Sequence, residues 1–320
     1  MTVSLPDGIA VGHWTSGKAW TGCTVIIAPE GSVSACEVRG GGPGTRESDL
    51  LSPSAAAPGA QAVLLAGGSA YGLAAADGVV GYLAERGVGF RTRAGIVPLV
   101  AGAVVYDLAL GDAETRPDAA AGYAACASAA ATVERGSAGV GTGCTVGKLL
   151  GPESWTKGGL GLASVALASG ACVAALAAVN AFGEILAEDG SVLAGVWQDG
   201  AYRRTVDLIR AGESGLSPWR ESTTLVCVLT DAALTKTQAW LVARAASAGV
   251  ARAVDPAATA VDGDVVYCIA TGRVEADALA VSVLAAEVTA QAIRDAVRQA
   301  TGAPGCPSAA ERRDGAGASA

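Results

Sequence analysis

Histidine, the side chain that most often acts as a base in catalysis, occurs only once among the 320 residues of this chain. Any Ser-His-Asp or Cys-His arrangement would have to use His13, which lies near the N-terminus in GIAVGHWTSG, and a structural or surface role is expected for it. Hydrolysis without histidine needs a different base. The α-amino group of a Thr, Ser or Cys exposed by chain cleavage can serve, since its usual pKa is about 8.

The pair Ser222-Thr223 has the sequence context of such a cleavage site. Residues 188–222 are polar and loop-like, and the apolar strand TTLVCVLT follows at once from Thr223. A catalytic group is held most accurately at the end of a rigid element, and an accessible loop before it leaves room for cleavage. Ordinary threonines at a strand edge would give the same pattern, so both interpretations stay open.

Two glycine-rich segments resemble nucleotide-binding loops only weakly. In GTGCTVGKL (141–149), Gly143 lies four residues before Gly147, and Leu149 replaces the Ser/Thr that would hold magnesium. GVGTG (139–143) lacks the third glycine of a dinucleotide fingerprint. No cofactor is therefore expected. Lys148 is an isolated cation in this apolar segment, either on a surface turn or in a site.

Composition restricts the partners and the compartment. The chain is 51% hydrophobic, carries a net charge of −8 and has no Lys/Arg cluster, so nucleic acid is not an expected partner. Eight cysteines without CxxC spacing predict buried free thiols, which suit a reducing cytoplasm, and a single histidine argues against a zinc site. The uncharged stretches 50–76 and 158–183 are rich in Gly, Ala and Ser, which predicts core rather than membrane spans. The N-terminus shows no signal-peptide pattern.

The order of apolar runs predicts an α+β fold in which sheets are sandwiched between helix layers. Helical periodicity predicts helices at 71–86, 118–134, 235–248 and 274–300. Pro29-Glu30-Gly31 predicts a hairpin between the first two strands. The low-complexity residues 303–320 predict a disordered tail. Strands are predicted at 22–28, 32–38, 62–66, 160–168, 172–179, 223–230 and 264–270.

Seven segments, in the same order, resemble the DmpA-type aminopeptidases, a family that includes β-aminopeptidases and nylon-oligomer hydrolases. The resemblance runs from about Gly8 to Ala300 and is far more specific than any single motif. The segments are VRGGGPGTRESDLL (38–51), LAGGSAYGLAAADGV (65–79), AVVYDL (103–108), GVGTGCTVGK (139–148), AAVNAFGEI (177–185), TTLVCVLTDAALTK (223–236) and DGDVVYCIATG (262–272).

This resemblance implies a four-layer αββα sandwich, similar to that of ornithine acetyltransferases, and self-cleavage within a single domain. The α-chain would be 1–222 and the β-chain 223–302, and the two would stay together. A homo-oligomer of cleaved heterodimers, without a metal or cofactor, is expected.

The resemblance also implies roles for individual residues. Thr223 would be the nucleophile, Lys148 the site lysine and Asn180 the side chain that stabilises an oxyanion. Asp262 and Asp264, in DGD, match an acidic pair that could hold an ammonium group.

Tyr71, in SAYGL, resembles the family's pocket tyrosine. One residue departs from the pattern: Ser222 stands where the family usually has Gly or Asn. Serine tolerates strained backbone angles less well, so slow cleavage is expected.

The expected activity is hydrolysis of N-terminal residues from short peptides or amides by a cytoplasmic enzyme that contacts neither membrane nor nucleic acid. Three alternatives remain. They are an endo-acting oligoamide hydrolase, an acyltransferase of the ornithine acetyltransferase type, and an unprocessed homologue without catalysis.

Overall fold

Runs of Val, Ile, Leu and Ala form the inner strands of the two largest sheets, and these strands are buried on both faces. The computed structural model describes residues 4–213 and 221–317. The strands are β1 (Ala10–Ser16), β2 (Thr21–Ile27), β3 (Val33–Val38), β4 (Thr45–Arg46), β5 (Ala62–Ala66), β6 (Phe90–Thr92), β7 (Gly95–Val97), β8 (Val100–Val104), β9 (Thr145–Val146), β10 (Thr156–Lys157), β11 (Gly159–Ala166), β12 (Cys172–Asn180), β13 (Glu184–Leu186), β14 (Val192–Ala194), β15 (Val196–Gln198), β16 (Ala201–Arg203), β17 (Thr223–Ala232), β18 (Val254–Asp255) and β19 (Val265–Val274).

Helices cover the outer faces of the sheets. Short 3-10 turns lie at Ser69–Ala74, Gly139–Gly143 and Pro152–Ser154. The α-helices are α1 (Ala75–Glu85), α2 (Ala119–Ala127), α3 (Thr205–Arg210), α4 (Lys236–Ala253), α5 (Ala278–Gln299) and α6 (Ala309–Gly317).

Two five-stranded sheets form the centre of the molecule. The first has the order β1-β2-β5-β8-β4 and the second the order β11-β12-β17-β19-β3. One apolar core lies between the sheets, a second between the first sheet and α1 and α2, and a third between the second sheet and α4 and α5. These layers confirm the predicted four-layer αββα sandwich.

The two-sided burial of the second sheet follows from side-chain alternation along β17. Val226 and Val228 pack in the core under α4 and α5, while Leu225 and Cys227 face the first sheet. Successive residues of a strand point to opposite faces, so an uninterrupted apolar run fills both cores. β17 lies between β12, which is antiparallel to it, and β19, which is parallel.

Glycine allows the layers to approach closely. A Cβ on Gly161 of β11 would lie 2.0 Å from the carbonyl oxygen of Ala292 in α5. A Cβ on Gly78 of α1 would lie 1.7 Å from the carbonyl oxygen of Ala119 in α2. No side chain fits at either contact.

Two predictions about the first half of the chain are wrong. β2 and β3 do not form a hairpin, because β1 and β5 occupy both edges of β2, and β3 pairs instead with β19 in the other sheet. The helix predicted to reach residue 134 ends at Ala127. The chain then bonds to β1, where Val11 and Ala130 exchange both backbone hydrogen bonds.

The prediction of a disordered tail over 303–320 is also wrong for the residues that the structure describes, which extend to 317. Ala303 and Cys306 are buried against Trp155, and α6 follows. The backbone N–H of Lys157 donates to the carbonyl of Pro307 at 2.9 Å. The low-complexity composition of residues 303–320 gave no sign that Ala303 and Cys306 would pack against Trp155.

Within residues 4–213 and 221–317, no helix has both the length and the apolar character needed to cross a membrane. The uncharged stretch 158–183 instead supplies β11 and β12 of the second sheet. All eight cysteines are free thiols.

Candidate active site

Thr223 is the first residue of the central strand β17, where it is buried and pairs with Asn180, the last residue of β12. The antiparallel register therefore brings together two predicted site residues that lie far apart in sequence. Both strands are held in the middle of a sheet, so the two side chains are fixed by packing on either face.

The peptide bond between Ser222 and Thr223 is surrounded by donors. The Thr223 hydroxyl donates to the Ser222 carbonyl oxygen at 2.5 Å, and the backbone N–H of Gly263 donates to the same oxygen at 2.7 Å. A Cβ on Gly263 would lie 2.8 Å from Thr223 Oγ1, so only glycine fits here. A hydroxyl and a backbone N–H thus donate to one carbonyl oxygen.

The strain argument for slow cleavage finds no support in the backbone of Ser222. Over residues 4–213 and 221–317, Ser222 is not among the non-glycine residues with left-handed backbone. Those residues are Trp20, Glu47, Ser69, Asp199 and Ala258.

Lys148 reaches the site from the loop after β9. Its Nζ donates to Asn180 Oδ1 and to the carbonyl of Glu221, each at 2.9 Å. The side chain is only 2% exposed, and this burial lowers the pKa of Lys148 to about 8. Gly147, with φ 74°, sets the turn, and a Cβ there would lie 2.1 Å from the carbonyl carbon of Gly195.

Both polar atoms of the Asn180 side-chain amide form hydrogen bonds. Its Oδ1 accepts from Lys148 and from the backbone N–H of Thr145 at 3.0 Å, while its Nδ2 donates to the carbonyl of Tyr106 at 2.9 Å. The ammonium and N–H donors on one atom identify that atom as oxygen. The Asn180 amide therefore donates to Tyr106 and accepts from Lys148, while the Ser222 carbonyl accepts from Gly263 and Thr223.

Asp262 and Asp264 flank Gly263 and are both buried. Asp264 Oδ1 accepts from the N–H of Thr224 at 2.6 Å, and Asp262 Oδ2 accepts from the Thr259 hydroxyl at 2.6 Å. Burial, together with the like charge of Asp262, raises the pKa of the Asp264 carboxyl. The pair therefore holds β17, β19 and the intervening loop in register beside Thr223.

A cleft of about 380 Å³ opens onto Thr223. Its walls include Pro43, Ala70, Val104 and Tyr106. A larger cavity, of about 540 Å³, reaches Asp264 alone among the predicted site residues. The smaller cleft is therefore the candidate substrate site.

The structure does not bring Tyr71 into the lining of this cleft. Its ring is 63% exposed and lies under the Arg116 guanidinium, 4.2 Å from the ring centroid. Tyr106, from the segment AVVYDL, lines the cleft instead. Nothing in the sequence alone distinguished these two tyrosines, since both lie in segments that match the family.

His13 lies on β1, where its Nδ1 is 2.9 Å from Thr24 Oγ1 and burial lowers its pKa to about 4. Its hydrogen-bond partners do not include any of the predicted site residues. It is thus a neutral, structural histidine. Across the part of the chain that the structure describes, no group of three or more His, Cys, Asp or Glu side chains could hold a metal ion.

Known proteins resemble this chain over nearly its whole length. The model of peptidase family S58 matches residues 6–309. An uncharacterized aminopeptidase of Mycobacterium leprae is 43% identical over 294 residues, with 86% of this chain and 79% of that protein covered. A 6-aminohexanoate-oligomer endohydrolase of Kocuria sp. is 30% identical over 314 residues, covering 91% of this chain and 84% of that protein.

A solved structure shows the same fold. A β-aminopeptidase from Burkholderia sp. superimposes with a TM-score of 0.72 at 24% sequence identity, covering 97% of this chain and 91% of that chain. The four-layer fold and these relatives define the protein as a hydrolase with an aminopeptidase-like ancestry. The chain belongs to peptidase family S58.

Proposed function

We propose that the chain cleaves itself between Ser222 and Thr223 and then uses Thr223 as an N-terminal nucleophile on the amide bonds of short peptides or amides. One observation carries the proposal. The Thr223 hydroxyl and the Gly263 N–H both bond to the Ser222 carbonyl oxygen, so nucleophile, scissile carbonyl and oxyanion donor already lie together.

Self-cleavage begins when Thr223 Oγ1 attacks the Ser222 carbonyl carbon. The C–N bond breaks, the hydroxyl proton passes to the released nitrogen, and an ester joins Ser222 to Thr223. Water then adds to this ester, which frees a carboxyl at Ser222 and restores the Thr223 hydroxyl. Gly263 stabilises the oxyanion of both steps, a contact typically worth ~3 kcal/mol.

The ammonium of Lys148 favours negative charge on the Thr223 oxygen during attack. It is held on the carbonyl of Glu221, next to the scissile bond, in a site where low dielectric strengthens its field. After cleavage, the freed α-amino group of Thr223 acts as the base. Asp264, already bonded to the adjacent N–H of Thr224, supplies the carboxyl that accepts a hydrogen bond from this amino group.

The substrate proposed for this chain contains an amide bond, as the names of two relatives suggest for theirs. One is named an aminopeptidase and another an endohydrolase of 6-aminohexanoate oligomers. The mostly apolar walls of the cleft, with Val104 and Tyr106, suit an acyl group without charge. Endo-action on oligoamides is therefore the second candidate.

Intact mass spectrometry of purified protein tests the proposal directly. Scaling 31.2 kDa by length gives fragments of roughly 22 and 10 kDa after cleavage before Thr223. A chain that stays intact through long incubation would instead support the unprocessed homologue.

The two fragments should remain associated without a disulfide. β17 pairs with β12 over eight residue pairs and β19 pairs with β3, so two adjacent strands of the second fragment lie between strands of the first within one sheet. Their thiols are all free. Size-exclusion chromatography in reducing buffer under native conditions should give one peak that contains both fragments. Separate peaks would contradict a buried interface between the fragments.

Replacing His13 with alanine should leave turnover within about tenfold of wild type, or ~1.4 kcal/mol of barrier. The reason is that the neutral His13 forms a hydrogen bond with Thr24 in the first sheet and none with the proposed site residues around Thr223. Turnover should be measured on chains whose cleavage has been verified by mass. A fully processed, folded but inactive His13→Ala protein would restore a histidine-dependent mechanism.

A further inference from the structure

The C-terminal segment, defined as residues 303–312, covers one side of Trp155. Ala303 and Cys306 pack against Trp155, which is only 4% exposed. Arg312 Nη2 donates to the Trp155 carbonyl at 2.6 Å, and the Cys306 thiol lies 3.8 Å from the same oxygen. Three residues of the segment thus contact one tryptophan.

The ring of Trp155 faces the site. Lys148 Nζ lies 5.5 Å from the ring centroid, within reach of a cation–π interaction. Lys148 Nζ also donates hydrogen bonds to Asn180 Oδ1 and to the Glu221 carbonyl. Lys148 is therefore held between Trp155 and the scissile region.

The same segment also supports the strand that leads to Lys148. The carbonyl of Pro307 accepts from the N–H of Lys157 in β10, and β10 pairs with β9, which ends two residues before Lys148. Lys157 is itself buried, with Nζ donating to the carbonyls of Gly141, Cys144 and Gly158. The C-terminal segment is thus hydrogen-bonded to a strand, β10, whose Lys157 side chain is itself held by three hydrogen bonds.

We propose that the C-terminal segment is a positioning element for the site: it holds Trp155 against Lys148 and excludes water from the lysine, with Arg312 as the residue that locks it in place. Arg312 lies beyond residues 6–309, the part matched by the family model. The inference rests on the proposed function, because its readout is the reaction in which Lys148 takes part.

The test is the pH dependence of self-cleavage in freshly refolded Arg312→Ala protein, from about pH 6 to about pH 10. In wild type, the rate of self-cleavage should fall at alkaline pH as Lys148 loses its proton. Loss of cover lets water reach Lys148, and weaker desolvation returns its pKa toward the usual value from about 8. In Arg312→Ala, the fall of the self-cleavage rate at alkaline pH (the alkaline limb of the profile) should therefore move to higher pH by about 0.5 to 1 unit relative to wild type. The maximal rate should be lower.

Arg313→Ala is the matched control, because Arg313 lies on the same helix and bonds only to its own turn, through Ala309. Its profile should equal that of wild type. Arg312→Met keeps the aliphatic stem but removes the donor to Trp155, and should shift the limb in the same direction by less. It serves as the test variant if Arg312→Ala does not refold, and thermal unfolding verifies the fold of each.

An unshifted limb in folded Arg312→Ala or Arg312→Met would overturn the positioning role while leaving self-cleavage intact. An equal shift in Arg313→Ala would overturn it too, as a general effect of disturbing α6. Wild-type protein that never cleaves would instead refute the proposed function, and the inference with it.

Discussion

Replacing Thr223 with alanine should leave the protein as one intact chain under conditions in which the wild type is cut in two. The substitution removes the hydroxyl that lies 2.5 Å from the Ser222 carbonyl oxygen, while the buried start of β17 accepts the smaller side chain. With no nucleophile, neither cleavage nor turnover on an added amide should be measurable. Intact mass spectrometry over a time course shows whether the chain is cut, and release of amine from the added amide measures turnover.

Two variants serve as controls for this experiment. Thr223→Ser keeps the hydroxyl and should still be cut, whereas Thr224→Ala changes the neighbouring threonine and leaves the nucleophile in place. If Thr223→Ala is cut at the same bond, the proposed chemistry is wrong. If Thr224→Ala alone stays intact, the hydroxyl has been assigned to the wrong residue.

Asn180→Ala should lower turnover by roughly 100-fold or more, the usual cost of losing one group that stabilises the oxyanion. In this structure the loss has two parts. Lys148 loses the acceptor that holds it at 2.9 Å, and the amide that could turn toward a substrate oxyanion after cleavage disappears. Turnover should be compared on chains already processed, so that a maturation defect is not counted as a catalytic one.

Asn180→Asp separates these two parts. It keeps an acceptor for Lys148 and for the Thr145 N–H but removes the amide donor to Tyr106. Self-cleavage near the wild-type rate with impaired turnover would assign the donor to catalysis alone. A processed Asn180→Ala protein with turnover within tenfold of wild type would remove Asn180 from the mechanism.

Candidate site residues could be selected from the sequence where few residue types were available for the proposed chemistry. A single histidine directed attention to Thr223, and the family segments located Lys148, Asn180 and the Asp262–Asp264 pair. The strand register then brings Asn180 opposite Thr223. The order of apolar runs predicted sheets between helix layers, because both faces of the central strands are buried, and the family resemblance implied the four-layer αββα form.

Backbone chemistry could not be predicted in the same way. The N–H of Gly263 and the carbonyls of Glu221 and Tyr106 shape the site, but every residue has such groups and only their positions distinguish them. The missing hairpin has a similar cause. Pro29-Glu30-Gly31 favours a turn locally, whereas the pairing of β2 with β1 and β5 is decided by distant strands.

If the chain is cut before Thr223 as proposed, the place of Thr223 at the first residue of a strand with neighbours from both fragments would also set the order in which the molecule is made. In the uncut chain, β12, β17 and β19 assemble within one polypeptide, and the rate of folding does not depend on protein concentration. In a cut molecule the same sheet would join two separate chains, so refolding would become a bimolecular reaction, favoured only when the fragments are concentrated. A mature molecule that unfolds in dilute solution would therefore lose its native state for good, and its lifetime would be governed by the rate of unfolding.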